Sequence, residues 1–243
     1  MAIDLVMGSI LVAAYFIPLF FLMAFIRRAG KKYIIYLFWG FLSSVPVLIL
    51  VSFIPGAVST SPYFIINVSP LLEEFFKALP IIIPALICIK NKDEDLLVCA
   101  MASGIGFSII ENLIFFNPEL LPFTLGNGMV VLGSIFSNPP VPGEIMSVFI
   151  RSFSTSLMHG CTCGIIGYGI VLIRNFDRHA LVPLLFGFYT IAVTTHAFFN
   201  LLSENYGTVG IILDLIIPVV LFFFLHACYH VDVPILFKKN PAL

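Results

Sequence analysis

Eight polar side chains interrupt long apolar runs of this chain. They are the glutamates and lysine of Leu71-Leu72-Glu73-Glu74-Phe75-Phe76-Lys77, the pair closing Phe107-Ser108-Ile109-Ile110-Glu111-Asn112, an isolated His159, and the ends of His196-Ala197-Phe198-Phe199-Asn200. Carboxylates, imidazoles and an amide gathered in a wet cavity suit the activation of water. A glutamate can take a proton from water as general base. Alternatively, glutamate oxygens and histidine nitrogens can bind Zn²⁺, which acidifies its bound water to a pKa of ~7. Asn200, one helical turn from His196, can donate an N–H to the oxyanion of a tetrahedral intermediate. The H-E-x-x-H pair of soluble metalloproteases and the G-x-S-x-G of a serine nucleophile elbow are both absent from the sequence.

Each motif also has a plainer explanation. Glu73 and Lys77 are four apart and Glu74 and Lys77 three apart, so either pair could neutralise itself on one helix face. One lysine cannot neutralise two carboxylates, however, and the second then needs a proton, a metal or another partner. Glu111 could be protonated and bonded between helices, and a lone His159 or His196 could be an interhelical hydrogen-bonding histidine. Four such motifs in order are harder to explain as decoration, because an ionisable group near a bilayer centre costs on the order of 2.5–3.5 kcal/mol.

The surrounding chain makes that cost relevant. Of 243 residues, 60% are hydrophobic and only 10% charged, with a mean hydropathy of +1.10, too little polar surface to clothe a water-soluble domain of this size. The formal net charge of -1 excludes a basic nucleic-acid-binding face. Apolar runs approach the ~20 residues that cross a bilayer as helix, and none alternates as a membrane barrel strand does. The sequence therefore predicts an all-α polytopic bundle with seven spans, near residues 5–26, 33–54, 70–89, 96–116, 148–173, 180–202 and 208–230.

Orientation follows from the basic residues. With the N-terminus outside and the C-terminus cytoplasmic, Arg27, Arg28, Lys31, Lys32, Lys90, Lys92, Arg174, Arg178, Lys238 and Lys239 all fall inside, as the positive-inside rule requires. Lys77 and Arg151 lie within spans, and Arg151 is expected to snorkel to headgroups or pair with an acid such as Glu144. The stretch 120–136 is apolar enough for an eighth or re-entrant span, but crossing there would scatter those charges. Residues 117–147 are therefore expected as an outer loop. Counting along the alternating helices brings Glu73, Glu74, Glu111 and His196 level in the outer half of the membrane, with His159 deeper. His179, His226 and His230 belong to the inner interface. The five cysteines sit in or beside apolar runs, and Cys161 and Cys163, two apart on a helix, cannot both face one ion with His159. No repeat or linker divides the chain, so a single domain 1–243 is expected, with its core at about 70–202.

The ordered set Glu73-Glu74-x-x-Lys77, Phe107-x-x-x-Glu111-Asn112, His159 and His196-x-x-x-Asn200 resembles the PrsW family of intramembrane proteases, relatives of the CAAX prenyl endopeptidases. The CAAX enzymes carry histidine where this chain has Glu111, which argues against prenylated substrates. The resemblance implies a peptidase of the cell membrane that cuts single-span, anti-sigma-factor-like proteins near the outer face of the bilayer. It implies catalytic roles for Glu73, Glu74, Lys77, Glu111, Asn112 and Asn200, and a Zn²⁺ site formed by Glu73, Glu111, His159 and His196. Two other functions remain compatible with these residues. A proton-coupled transporter also needs intramembrane carboxylates, and Pro80 and Pro84 could break its helix. A non-enzymatic scaffold could hold single-span partners in the same groove.

Overall fold

The computed structural model describes residues 31–87, 96–116, 142–173, 178–205 and 207–230, together with Phe16, Leu19 and Phe20. These residues form helices and turns, with no strand among them. The main helices are α1 (Lys31–Ser52), α2 (Ser69–Ile87), α3 (Leu96–Phe116), α4 (Pro142–Ile173), α5 (Arg178–Asn205) and α6 (Gly207–His230). Five of them contain stretches long and apolar enough to cross a bilayer: Lys32–Ser52, Leu96–Ile114, Phe149–Ile173, Val182–Ser203 and Val209–Tyr229. The 19-residue α2 has the length but carries Glu73, Glu74 and Lys77. The expected first span, 5–26, and the stretch 120–136 lie outside the described residues, apart from Phe16, Leu19 and Phe20.

Burial separates the helices into two kinds. In α3 and α4, 78% and 83% of the spanning residues are buried, against 22% in each of α1, α5 and α6. The central pair is thus the core on which the others pack, and its members approach until backbones touch. A Cβ on Gly104 of α3 would sit 1.9 Å from the carbonyl oxygen of His159 on α4, and one on Gly40 of α1 would sit 1.8 Å from that of Ser103. Small residues at helix seams are how membrane bundles gain van der Waals contact where lipid supplies no hydrophobic drive.

Two regions differ from the sequence expectation. The helix expected from 148 begins at Pro142 and runs for 32 residues, so the expected loop 117–147 is shorter at this end. The stretch between the second and third expected spans is also ordered. α1 ends before Pro55, as the steric restriction ahead of proline favours, and a helical turn follows at Gly56–Ser59. A new helical run then starts at Pro62, with Ser61 Oγ accepting the Phe64 N–H at 3.3 Å as an N-cap ahead of a first-turn proline. Residues Phe64–Val68 of that run are wound as a π-turn that leads directly into α2.

The π-turn leaves one carbonyl without a backbone donor, for a reason visible in the sequence. The Ser69 N–H bonds the Phe64 carbonyl five residues back, and the same pattern would pair residue 70 with Ile65. Residue 70 is proline, which has no N–H to give. The Ile65 carbonyl is accordingly bonded by Asn200 Nδ2 from α5, at 3.0 Å.

Candidate active site

α2 supplies two adjacent glutamates with different surroundings. Glu73 lines a cavity of about 260 Å³. Ser69, one turn earlier, donates to its Oε1 at 2.6 Å, while its Oε2 is buried with no hydrogen-bond partner. Glu74 is fully buried. Its Oε1 accepts three bonds: from Lys77 Nζ at 2.7 Å, Thr162 Oγ1 at 2.8 Å and His196 Nδ1 at 2.8 Å. One oxygen therefore joins α2, α4 and α5.

Lys77 pairs with Glu74, the i,i+3 choice, and also donates to His159 Nδ1 at 2.6 Å. With Nδ1 accepting, His159 carries its proton on Nε2 and directs it at Glu111 Oε2. Phe107 explains the aromatic position of its motif. Its ring packs 5.3 Å from the His159 ring and lies 4.9 Å below the Lys77 ammonium, a geometry that favours the cation.

The two imidazoles meet edge to face with centroids 4.8 Å apart. Glu73 Oε2 lies 3.7 Å from His196 Nε2 and 4.0 Å from His159 Nδ1. These are too long for hydrogen bonds. They approach the ~3.4 Å separating two ligand atoms that each stand ~2.1 Å from a tetrahedral Zn²⁺. Glu73, His159 and His196 are the group whose ligand atoms all lie within 4.8 Å of one another. The unpartnered Oε2 and the second-sphere bond from His196 Nδ1 to Glu74 both fit a metal, since ligating histidines ordinarily give their other nitrogen to a carboxylate. Glu111 is not in that group. It contacts His159 through Oε2 and Arg151 through Oε1, 3.8 Å from Nη2.

Sequence-derived candidates thus fall into three environments. Glu73, Glu111, His159, His196 and Asn200 line the cavity, and Glu74 and Lys77 sit behind it. Asn112 turns to the α3–α4 seam, where Nδ2 reaches Ser156 Oγ at 3.4 Å and the Ser152 carbonyl at 3.5 Å. Arg151 faces Glu111 on the neighbouring helix α3. Ser69 and Thr162 were not singled out by sequence, although the Ser-x-x-x-Glu spacing of Ser69 to Glu73 was a readable signal for one of them. Asp214 stands behind the cavity, accepting from the cavity-lining Ser203 at 2.7 Å. His226 stacks on Phe222, 6.5 Å away between centroids, and does not line the cavity.

An apolar helical bundle with carboxylates and imidazoles converging on a cavity has the build of an intramembrane peptidase. Residues 30–228 match the family model described as PrsW family intramembrane metalloprotease. The chain belongs to that family: a multi-pass membrane protein and an intramembrane peptidase whose substrates are membrane proteins. No curated protein and no solved structure matches it.

Proposed function

We propose that this protein hydrolyses a peptide bond of single-span, anti-sigma-factor-like membrane proteins, near the outer face of the membrane, with water activated at Glu73. The carrying observation is the buried Glu73 Oε2, without a hydrogen-bond partner, beside His196 Nε2 and His159 on a residue that lines the cavity. The reading includes seven spans with the N-terminus outside, and a single domain 1–243 whose catalytic core is about 70–202. A scissile bond must leave its helix before attack, which is least costly near an interface where its backbone groups meet water.

Glu73 has one oxygen tied to Ser69 and one open, the arrangement a general base needs to take a proton from water and return it to the leaving amine. Glu74 anchors His196 by Nδ1 and directs Nε2 toward Glu73. Asn200 Nδ2 has two hydrogens, of which the Ile65 carbonyl takes one, and the second is available to an oxyanion in the cavity. Lys77 holds His159 in the tautomer that reaches Glu111. Alternatively, Glu73, His196 and His159 would hold a metal, His159 through Nδ1 once that nitrogen gives up its bond from Lys77, and Glu111 beside His159 would then be the carboxylate left to act as base. Zn²⁺ bound there would supply a water of pKa ~7 and polarise the substrate carbonyl.

The test is cleavage of single-span reporter proteins co-reconstituted in liposomes, with product termini mapped, alongside metal analysis of the purified protein. Wild type is expected to cut within about two helical turns of the outer surface. Glu73→Gln is expected to lose on the order of 10²–10⁴-fold in rate and the bound metal, with the metal-free forms of variant and wild type unfolding at the same temperature. Cleavage on the cytoplasmic side, or a fully active Glu73→Gln, would overturn the proposal.

A further inference from the structure

Arg151 has no task in this scheme. It stands on α4 two turns before His159 and lines the same cavity. A guanidinium within a spanning helix is costly unless compensated, and its distance to Glu111, 3.8 Å from Nη2 to Oε1, marks an ion pair. The other oxygen of that carboxylate engages His159 Nε2. One glutamate on α3 is thus held at both oxygens by residues of α4.

The double hold matters because a glutamate has three side-chain torsions, and its terminal one is broad. With His159 as sole partner, the carboxylate can rotate about that contact and present either oxygen. A cation 3.8 Å from Oε1 biases that rotation, because turning Oε1 away weakens the ion pair, and so favours the carboxylate orientation in which Oε2 meets the His159 ring. His159 has no slack on its backbone side, since its carbonyl lies against Gly104. Its ring is held at Nδ1 by Lys77, so the Nε2 side depends on Glu111.

We infer that Arg151 is a positioning residue that acts through Glu111, locking the carboxylate so that His159 is held in its working orientation. The inference rests on the active site proposed above. Removing the guanidinium leaves Glu73, Glu74 and His196 in place while loosening the Glu111–His159 pair.

The experiment uses the full-length protein in liposomes and the single-span reporter that wild type cleaves, comparing Arg151→Gln, Arg151→Lys, Glu111→Gln and the Arg151→Gln/Glu111→Gln double variant. Glutamine is shorter than arginine but keeps a polar side chain able to hydrogen-bond, so it leaves a smaller gap than a truncation to alanine. Arg151→Gln is expected to lower kcat by about 10–100-fold, as loss of an outer-sphere partner does, with KM nearly unchanged. Arg151→Lys is expected to recover part of the loss, and the double variant to be no slower than Glu111→Gln alone. A rise in KM at constant kcat would show a substrate-binding arginine and overturn the inference. So would single losses that multiply in the double variant. Wild-type rate in Arg151→Gln with an inactive Glu111→Gln defeats this inference alone. An active Glu111→Gln defeats it together with the role of Glu111 in the proposed site.

Discussion

The seam between α3 and α4 and the seam between α2 and α5 are built on different principles. The first adds close backbone contact, with Gly104 flush against the His159 carbonyl, to side-chain bonds such as those of Ser108 and Asn112 to Ser156. The second is held by a column of polar bonds. Tyr189 donates to the Leu71 carbonyl at 2.6 Å, His196 to Glu74 at 2.8 Å, and Asn200 to the Ile65 carbonyl at 3.0 Å. A backbone in van der Waals contact cannot yield without losing its packing. Hydrogen bonds within a membrane are worth on the order of 0.6–1.7 kcal/mol each and can be exchanged singly. A peptidase that must admit a substrate helix benefits from both: one wall that fixes His159 and Glu111, and another able to part.

The largest expected effect lies in the polar seam. Glu74→Ala strands the buried Lys77 ammonium and unties His196 and Thr162, so it should cost about 3–5 kcal/mol, read as a large fall in the thermal unfolding midpoint in detergent. A stable Glu74→Ala would mean that the seam is not held at that oxygen. Asn200→Ala should lower the cleavage rate by roughly 10²–10³-fold if its second N–H meets the oxyanion. A slowing of less than tenfold would reduce Asn200 to a clasp on Ile65. Gly104→Ala sharpens the steric side. Its new methyl must separate α3 from α4, at about 1–3 kcal/mol, with activity falling because His159 moves. Tyr189→Phe should cost only about 0.5–1.5 kcal/mol, and a faster cleavage rate in that variant would support opening along this seam. Gly187→Ala on α5 meets nothing within 4 Å and should be neutral within about 0.5 kcal/mol. Equal tolerance at Gly104 and Gly187 would erase the contrast between the two seams.

Sequence reading located the polar groups well because intramembrane ionisable residues stand out against apolar runs, whatever the packing. It could not assign their directions. Adjacent residues on a helix point ~100° apart, so Glu73 and Glu74 had to face different surroundings. Which of them faced the cavity depended on the rotation of α2 against α4 and α5. The same indeterminacy hid the choice of Glu74 by Lys77, of the seam by Asn112, and of Glu111 by Arg151. Each is a contact across helices, set by how closely glycines let backbones approach. The π-turn was missed for another reason: residues 55–68 are too short and mixed to read as a span, and the consequence of Pro70 appears only once a five-residue bonding step is seen.

The oxygen shared by Lys77, Thr162 and His196 also bears on biosynthesis. A translocating chain offers α2 to the lipid with Glu73, Glu74 and Lys77 aboard, and the helix's own Lys77 can answer only one of the two acids. The remaining compensation is encoded later in the chain, on α4 and α5, which emerge from the ribosome more than eighty residues afterwards. With each charge costing about 2.5–3.5 kcal/mol in hydrocarbon, α2 is a poor candidate for lateral release on its own. Its settling in the bundle would then wait for its successors, so the residues proposed for the reaction centre would also set the order in which the bundle is assembled.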